Sequence, residues 1–499
     1  MTCFLGIDVS TTGAKALIID EQGCVAAEHF SAYPVSTPRP LWSEQDPVDW
    51  WSGTCACIRA ALGKARLPAA AIGAVGLTGQ MHGLVLLDRS DHILRPAILW
   101  NDQRTASQCE ELTAKVGGHD RLLELTGNRL LPGFTAPKIA WVRENEPRVY
   151  GKAAHVLLPK DYVRLRLTGE HATEVSDASG TALLDVKRRS WSKEMLEALG
   201  IPEAWLPACS ESDRVSGRIS ASAASATGLK AGTPVVGGGG DQAAQAVGSG
   251  VVMPGLVLVT TGTSGVVFAP GDRYAAEAQG RLHAFCHAVP GTWHVMGVML
   301  SAGGSLRWLR DAIGSGGKTA VPYEQLTQEA GAAPAGSEGL VFLPYLAGER
   351  TPHPDPRARG AFIGLTLRHG RAHLVRSVLE GVAFGLRDSL ELIKGLGLPI
   401  RQVRASGGGA RSAAWRQIQA DVFGVELVLV NATEGAAFGA ALLAAVGAGM
   451  YRSVAEAVQA MVRVTGRTEP IAANVSAYEE SYAVYRGLYP ALKDTFHAL

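Results

Sequence analysis

The sequence of 499 residues carries almost no surplus of charge. Its 47 lysines and arginines balance 46 aspartates and glutamates, a formal net charge of +1. That balance gives the whole chain no pull toward nucleic acid or an anionic membrane. Long apolar runs are missing too. The most apolar stretch, 436–450, is about one helix of alanine and glycine, too short and small-sided to span a bilayer. It reads as a closely packed internal helix. The opening residues, MTCFLGIDVS, hold no basic segment, and Asp8 breaks their apolar run, so no signal peptide is expected. Cysteine is sparse: seven residues, an odd number, without metal-ligand spacing. Cys55 and Cys57 form a C-x-C, but a helix there points them to different sides. Reduced thiols in a cytoplasmic protein are the expectation. Two nucleotide-binding signatures are also absent. There is no G-x-x-x-x-G-K-[ST], and no G-x-G-x-x-G with a ribose-binding acid downstream.

What is present is a mixed α/β pattern, long enough for two or three domains. Strands are expected at 3–8, 14–20 and 24–31, joined by STTG and EQG turns. Asp46 as N-cap and Pro47 at the first helical position start a helix that runs to about residue 65. A strand at 72–77 ends in TGQMHG, and 84–88 and 98–100 are expected to continue the sheet. Helices follow over 103–117, 136–146 and 160–168, then a strand at 233–236. Residues 256–269, LVLVTTGTSGVVFA, echo the opening FLGIDVSTTGAKALIID as strand, hydroxyl-rich turn, strand. The echo suggests a duplicated domain and two lobes around a cleft. The second half adds helices at 302–313, 370–394, 411–423 and 434–448, strands near 401–405 and 426–429, and an amphipathic tail. Loops 31–45 and 314–338 suggest no role.

The chemistry concentrates at a few places. The two turns, Asp8–Gly13 with Lys15 beyond it and Thr260–Gly265, can converge backbone N–H groups and hydroxyls on a phosphate chain. Read blandly, they are ordinary hairpin turns. Gly237–Gly240 and Gly407–Gly409 each join a strand to a helix, where a ligand can approach the backbone and the helix start favours negative charge. Asp241 either caps the helix that follows or is a base aimed into a gap cleared by glycine; four glycines exceed what a cap needs. Met81 and His82 lie just past a strand end, where ligands sit in open α/β folds, though a lone histidine is often structural. Asn101 and Asp102 offer polarity for hydroxyls or start a helix. Trp100 can stack on a sugar face or fill core.

Taken together, GIDVSTTGAK, TGQMHGLVLLD, ILWNDQR, GFTAPKIAWV, LPKDYVRLRLTGE, SDASGT, GGGGDQAAQAVG, TTGTSG, GGSLRWLRD, GERTPHPDPRARG and SGGGARSAAWRQIQAD resemble the FGGY carbohydrate kinases, most closely the xylulokinases. The resemblance implies two actin-like, RNase-H-like domains around a deep cleft. Residues 1–248 would hold the sugar site, first phosphate loop and base, and residues 249–499 the second phosphate loop and adenosine site. It implies Asp241 as catalytic base, with Met81 and His82 as sugar contacts and Asn101, Asp102 and Gln242 as neighbours. Asp8 would act through Mg²⁺, by way of water, near the phosphates. Thr11, Thr12 and Lys15 match the first phosphate loop, Gly262 and Thr263 the second. Gly303, Gly304, Gly408, Gly409 and Ser412 match the nucleoside side. The implied activity is ATP-dependent phosphorylation of D-xylulose at O5, with ATP and Mg²⁺, no nucleic acid or membrane partner, and the homodimer common among such kinases. Gln242 departs from the asparagine many xylulokinases carry after the base, which bears on the hydroxyl pattern that fits. The glycines are expected to give sugar and phosphate room against the backbone. The alternatives are a family kinase for L-ribulose, L-fuculose, D-arabinitol or glycerol, an actin-like ATPase without a sugar, and a sugar-sensing regulator. The regulator would need a DNA-binding module, for which the early first strand leaves no room in front.

Overall fold

Two sheets of the same topology carry the molecule. The computed structural model describes residues 2–313, 321–432 and 434–499. In the first sheet, Cys3–Val9, Gly13–Ile19 and Val25–Ala32 form an antiparallel meander. Ile72–Gly79 joins it parallel to Cys3–Val9, followed by Pro234–Val236 and then antiparallel Val215–Arg218. The second sheet repeats this strand for strand. Gly255–Thr261, Gly265–Gly271 and Trp293–Met299 make the meander; Ile400–Ser406, Leu427–Val430 and antiparallel Val464–Thr468 follow. His283–Cys286 is added at the outer edge. The hairpin echo in the sequence is therefore the inner part of a duplicated sheet.

Burial explains the strand patterns. Cys3–Val9 is buried along nearly its whole length because helices cover both faces, so it reads as an unbroken apolar run. Val25–Ala32, at the sheet edge, is mostly exposed. Helix Pro47–Ala65 lies over the meander and starts as its sequence predicts, with Asp46 accepting from the Val48 amide and Pro47 in the first turn. Cys57, on the buried face of this helix, donates to the Ala14 carbonyl, while Cys55 is half-exposed. Most other helices fall within a few residues of expectation, among them Pro159–Thr168, Gly303–Ile313 and Arg371–Gly395. The amphipathic tail is helix Ala472–Ala498, which turns Tyr478, Tyr482, Tyr485 and Tyr489 inward at helical spacing.

One expectation needs correction. Residues 84–88 and 98–100 do not continue the first sheet. Val85–Leu87 pairs with His155–Leu157, and Ala97–Ile98 pairs with Glu44–Gln45, in two small sheets of their own. Strand Ile72–Gly79 already has neighbours on both sides, so no edge is left for them. The alanine-rich helix Gly435–Gly447 is internal, as its composition suggests, and lies on the first sheet. It also crosses helix Asp241–Gly248 so closely that a Cβ on Gly439 would sit 1.8 Å from the Ala244 carbonyl oxygen. This glycine-and-alanine crossing joins the two halves. Of the loop at 314–338, residues 314–320 lie outside the described residues, and Tyr323–Glu329 forms a short helix. Among the described residues no helix is long and apolar enough to cross a membrane.

Candidate active site

The first hairpin turn is braced from beneath. The Gln45 amide donates to the Thr11 carbonyl at 2.7 Å, and Thr11 Oγ1 donates to Gln80 Oε1 at 3.1 Å. Gln80 donates to Gln45 Oε1, which also accepts from the buried Trp50 indole. Tyr33 OH donates to the Ser10 carbonyl at 2.6 Å. The turn is thereby held rigid, with Thr12 exposed at its tip. Lys15 is ion-paired with Glu434, at the start of the crossing helix Gly435–Gly447, so its charge ties the turn to the second half of the chain.

Asp8 ends the first strand of this hairpin. Its Oδ1 is buried and has no hydrogen-bond partner. Burial, then the nearby Asp241 carboxylate, push its pKa up to about 7, with Lys15 opposing. Asp241 is the first residue of its helix, and its Oδ1 accepts from the Gln242 amide at 2.7 Å. Burial pushes its pKa up to about 6 against that hydrogen bond. The side-chain oxygen of Gln242 is also buried and unpartnered. Two carboxylates with depressed acidity and a free amide oxygen thus meet at one place.

The glycines before Asp241 have a different purpose from the one expected. Gly238 adopts φ +75°, and a Cβ there would lie 1.8 Å from the Leu77 carbonyl oxygen. A Cβ on Gly240 would press on Met81 at 3.0 Å. The run lets the chain close onto strand Ile72–Gly79 and onto Met81; the space the glycines clear is filled by the protein itself. Behind it lies a buried ionic network that the sequence does not reveal. Arg164 donates to the Gly237 carbonyl at 2.6 Å, and the Gly240 amide donates to Ser176 Oγ at 3.0 Å. Ser176 in turn donates to Glu174, which faces Lys160 at 3.5 Å, beside Asp161 and Asp177.

On the other side of Met81 stands His82, at φ +68°, a left-handed conformation that is rare without glycine. Its carbonyl accepts from Lys138 and Thr135 of the helix Thr135–Asn145. Its Nδ1 is 2.6 Å from the Gly180 carbonyl oxygen and so must donate. Its ring stacks on Phe134 at 4.8 Å. Burial pushes its pKa down to about 3, so the ring is neutral and Nε2 is an acceptor. His283 and Arg350, from the second half, lie near enough to act on its charge. No ion pair or side-chain hydrogen bond holds the Arg350 guanidinium among the described residues, and the sequence reading had not singled it out. Trp100 is half-exposed, and its Nε1 donates to Thr11 Oγ1 at 3.0 Å, linking this side to the first turn. Asn101 is exposed beside the loop 37–43. Asp102 is not brought into the group. It is fully buried and spent on the Ser43 amide and the Arg104 guanidinium.

The second turn faces a cavity of about 770 Å³. Gly262, Thr263, Gly303, Gly408, Gly409 and Ser412 all line it, as do Arg307, Tyr323 and Trp415, which sequence reasoning missed. Gly304 lies beside it. The Gly303 and Gly304 amides donate to the Gly262 and Thr263 carbonyls, so these residues shape the turn instead of offering donors. Ser412 Oγ caps helix Ala413–Phe423 by accepting from the Trp415 amide. The cavity's volume and mixed polar and aromatic lining suit a nucleoside.

Comparison with known proteins adds an independent finding. Residues 3–248 match the N-terminal domain of the FGGY family of carbohydrate kinases, and residues 257–448 match its C-terminal domain. The xylulose kinase of Escherichia coli (strain K12) is 42% identical over 98% of this chain and 99% of its own. That of Bacillus subtilis (strain 168) is 40% identical over 100% and 99%. A crystal structure of a "xyloylose kinase" from Brucella ovis superposes with a TM-score of 0.92 at 41% identity, covering 99% of this chain and 100% of that one.

Proposed function

Since the chain belongs to the FGGY family of carbohydrate kinases, we propose that it transfers the γ-phosphoryl group of ATP to O5 of D-xylulose, with Asp241 as the base. The observation that carries this reading is the convergence of Asp241, Gln242 and the Met81–His82 turn beside the braced Thr11 turn. Relatives named xylulose kinase, matching over nearly their whole length, support the choice of sugar.

The open-chain ketopentose lies against Met81. The neutral His82 Nε2 and the unpartnered Gln242 oxygen accept from its hydroxyls. O5 attacks the γ-phosphorus in line; the O5–P bond forms, the bond to the β-phosphate oxygen breaks, and ADP leaves. Asp241 takes the O5 proton. The transition state is loose, so alignment and charge neutralisation do most of the work. The nucleoside sits in the cavity beside Gly408 and Gly409, and its phosphates reach toward the Thr11 and Gly262 turns. Asp8 fits a hard divalent cation, because it offers an oxygen donor, Oδ1, that is buried and unsatisfied. Mg²⁺ held there would shield the phosphate oxygens as charge develops on them. Seven free cysteines agree with a cytoplasmic setting.

The test is ADP release at fixed ATP and Mg²⁺ against D-xylulose, L-xylulose, D-ribulose, L-ribulose, D-arabinitol, glycerol, D-gluconate and no sugar. D-gluconate belongs in the panel because Arg350 presents a cation near the site. A strong preference for D-xylulose is expected. Equal turnover without sugar would point to an actin-like ATPase instead.

Asp8→Asn separates function from folding. Folded Asp8 titrates at about 7 against an ordinary 3.8. Its contribution to stability is full below 3.8 and is lost as pH rises through about 7. At pH 8 the wild type therefore carries a buried charge costing on the order of 2–4 kcal/mol. The metal-free variant should melt higher than wild type at pH 8, with the gain shrinking toward pH 4, while its kinase activity collapses. A variant less stable than wild type at pH 8 would refute the assignment.

A further inference from the structure

We propose that Asp91, His155 and His171 form a binding site for a borderline divalent cation such as Zn²⁺, which clamps the two ends of helix Pro159–Thr168. One ligating atom from each residue lies within 4.8 Å of the other two. His171 Nε2 and Asp91 Oδ1 are 2.8 Å apart, and the His155 and His171 rings are stacked with centroids 4.2 Å apart. Ligand atoms on a tetrahedral zinc are separated by roughly 3.3–3.5 Å, given bonds of about 2.0–2.2 Å. Completing the site requires the two rings to unstack and turn their nitrogens toward a common point beside Asp91. A simple surface hydrogen bond would need only His171 and Asp91. The convergence of His155 on the same point makes a three-ligand set with a fourth position open to water. Two imidazoles and one carboxylate select a borderline metal over Mg²⁺ or Ca²⁺, which prefer all-oxygen donors.

The backbone presents the three ligands from separate segments that the fold brings together. Asp91 sits at φ +61° in a tight turn, where Asp88 Oδ1 accepts from the Ser90 and His92 amides. His155 opens the strand paired with the residues before that turn, Leu87 opposite His155. His171 immediately precedes strand Ala172–Glu174. His155 and His171 therefore flank, in the chain, helix Pro159–Thr168, whose Arg164 holds the Gly237 carbonyl. A cation here ties off the element that supports the glycine run from behind. Both histidines are partly exposed and Asp91 is exposed, so the metal can enter from solvent.

The experiment uses the full-length protein, stripped of metal and without nucleotide or sugar. Zn²⁺ is titrated by calorimetry, and melting is followed with and without it. The wild type should bind one equivalent at this site and melt about 2–4 °C higher in excess metal. His155→Ala/His171→Ala should lose both effects, yet melt like wild type without zinc. His92→Ala should keep both, because that neighbouring side chain is 77% exposed and outside the triad. Equal binding by the double variant, loss in His92→Ala, or no zinc-dependent melting shift in the wild type would each overturn the proposal.

Discussion

Asp241→Asn is expected to lower kcat by on the order of 10²–10⁴-fold, the usual contribution of a positioned base. Asparagine keeps the Oδ1 acceptor for the Gln242 amide, so the helix start and the melting temperature should hardly change. The KM for ATP should also persist, because the nucleoside cavity is built from other residues. The pH profile provides a second readout. A base must be ionised to accept a proton, and Asp241 titrates at about 6. Activity of the wild type should therefore rise through pH 6, and Asp8, at about 7, should add to the same limb until a cation occupies it. The residual activity of Asp241→Asn should lose the component at pH 6. Near wild-type turnover in a folded variant would reduce Asp241 to a helix-terminal residue.

What the sequence revealed and what it hid divide along a physical line. Strands and caps declare themselves locally: Asp46 and Pro47 start a helix because the orphan amides of a first turn need just such residues. The repeated hairpins were legible because a duplicated sheet must repeat its turns. The glycine run signals a close approach without naming what approaches. Sequence shows that a backbone must come close to something, and only the structure shows that the something is the Leu77 carbonyl and Met81. The partner of Lys15 could not be found either, since Glu434 lies 419 residues away and meets it only because helix Gly435–Gly447 packs on the first sheet. The same holds for Asp102, whose polarity suggested a sugar contact. Its neighbours Ser43 and Arg104 take all of its acceptor capacity. Polar residues advertise chemistry, but burial decides whether that chemistry is already spent.

The network behind the glycine run makes this point measurable. Lys160 is fully buried, with its ammonium 2.7 Å from Asp161, 3.1 Å from Asp177 and 3.5 Å from Glu174. Burial alone would lower its pKa, but the three carboxylates hold it above the usual lysine value. Asp177 is pushed well above the carboxylate range, chiefly by burial, with Lys160 opposing. Lys160→Met removes one cation and leaves an uncompensated carboxylate in a dry interior, a loss of about 3–5 kcal/mol. The deficit should appear as a lower denaturation midpoint at pH 8. Because Glu174 reaches the Gly240 amide through Ser176, the same change should loosen the start of the Asp241 helix and cut kcat more than the KM for ATP. A loss under about 1 kcal/mol would mean that Lys160 merely fills space. The expected loss of about 3–5 kcal/mol with kcat intact would separate the network from the base it positions.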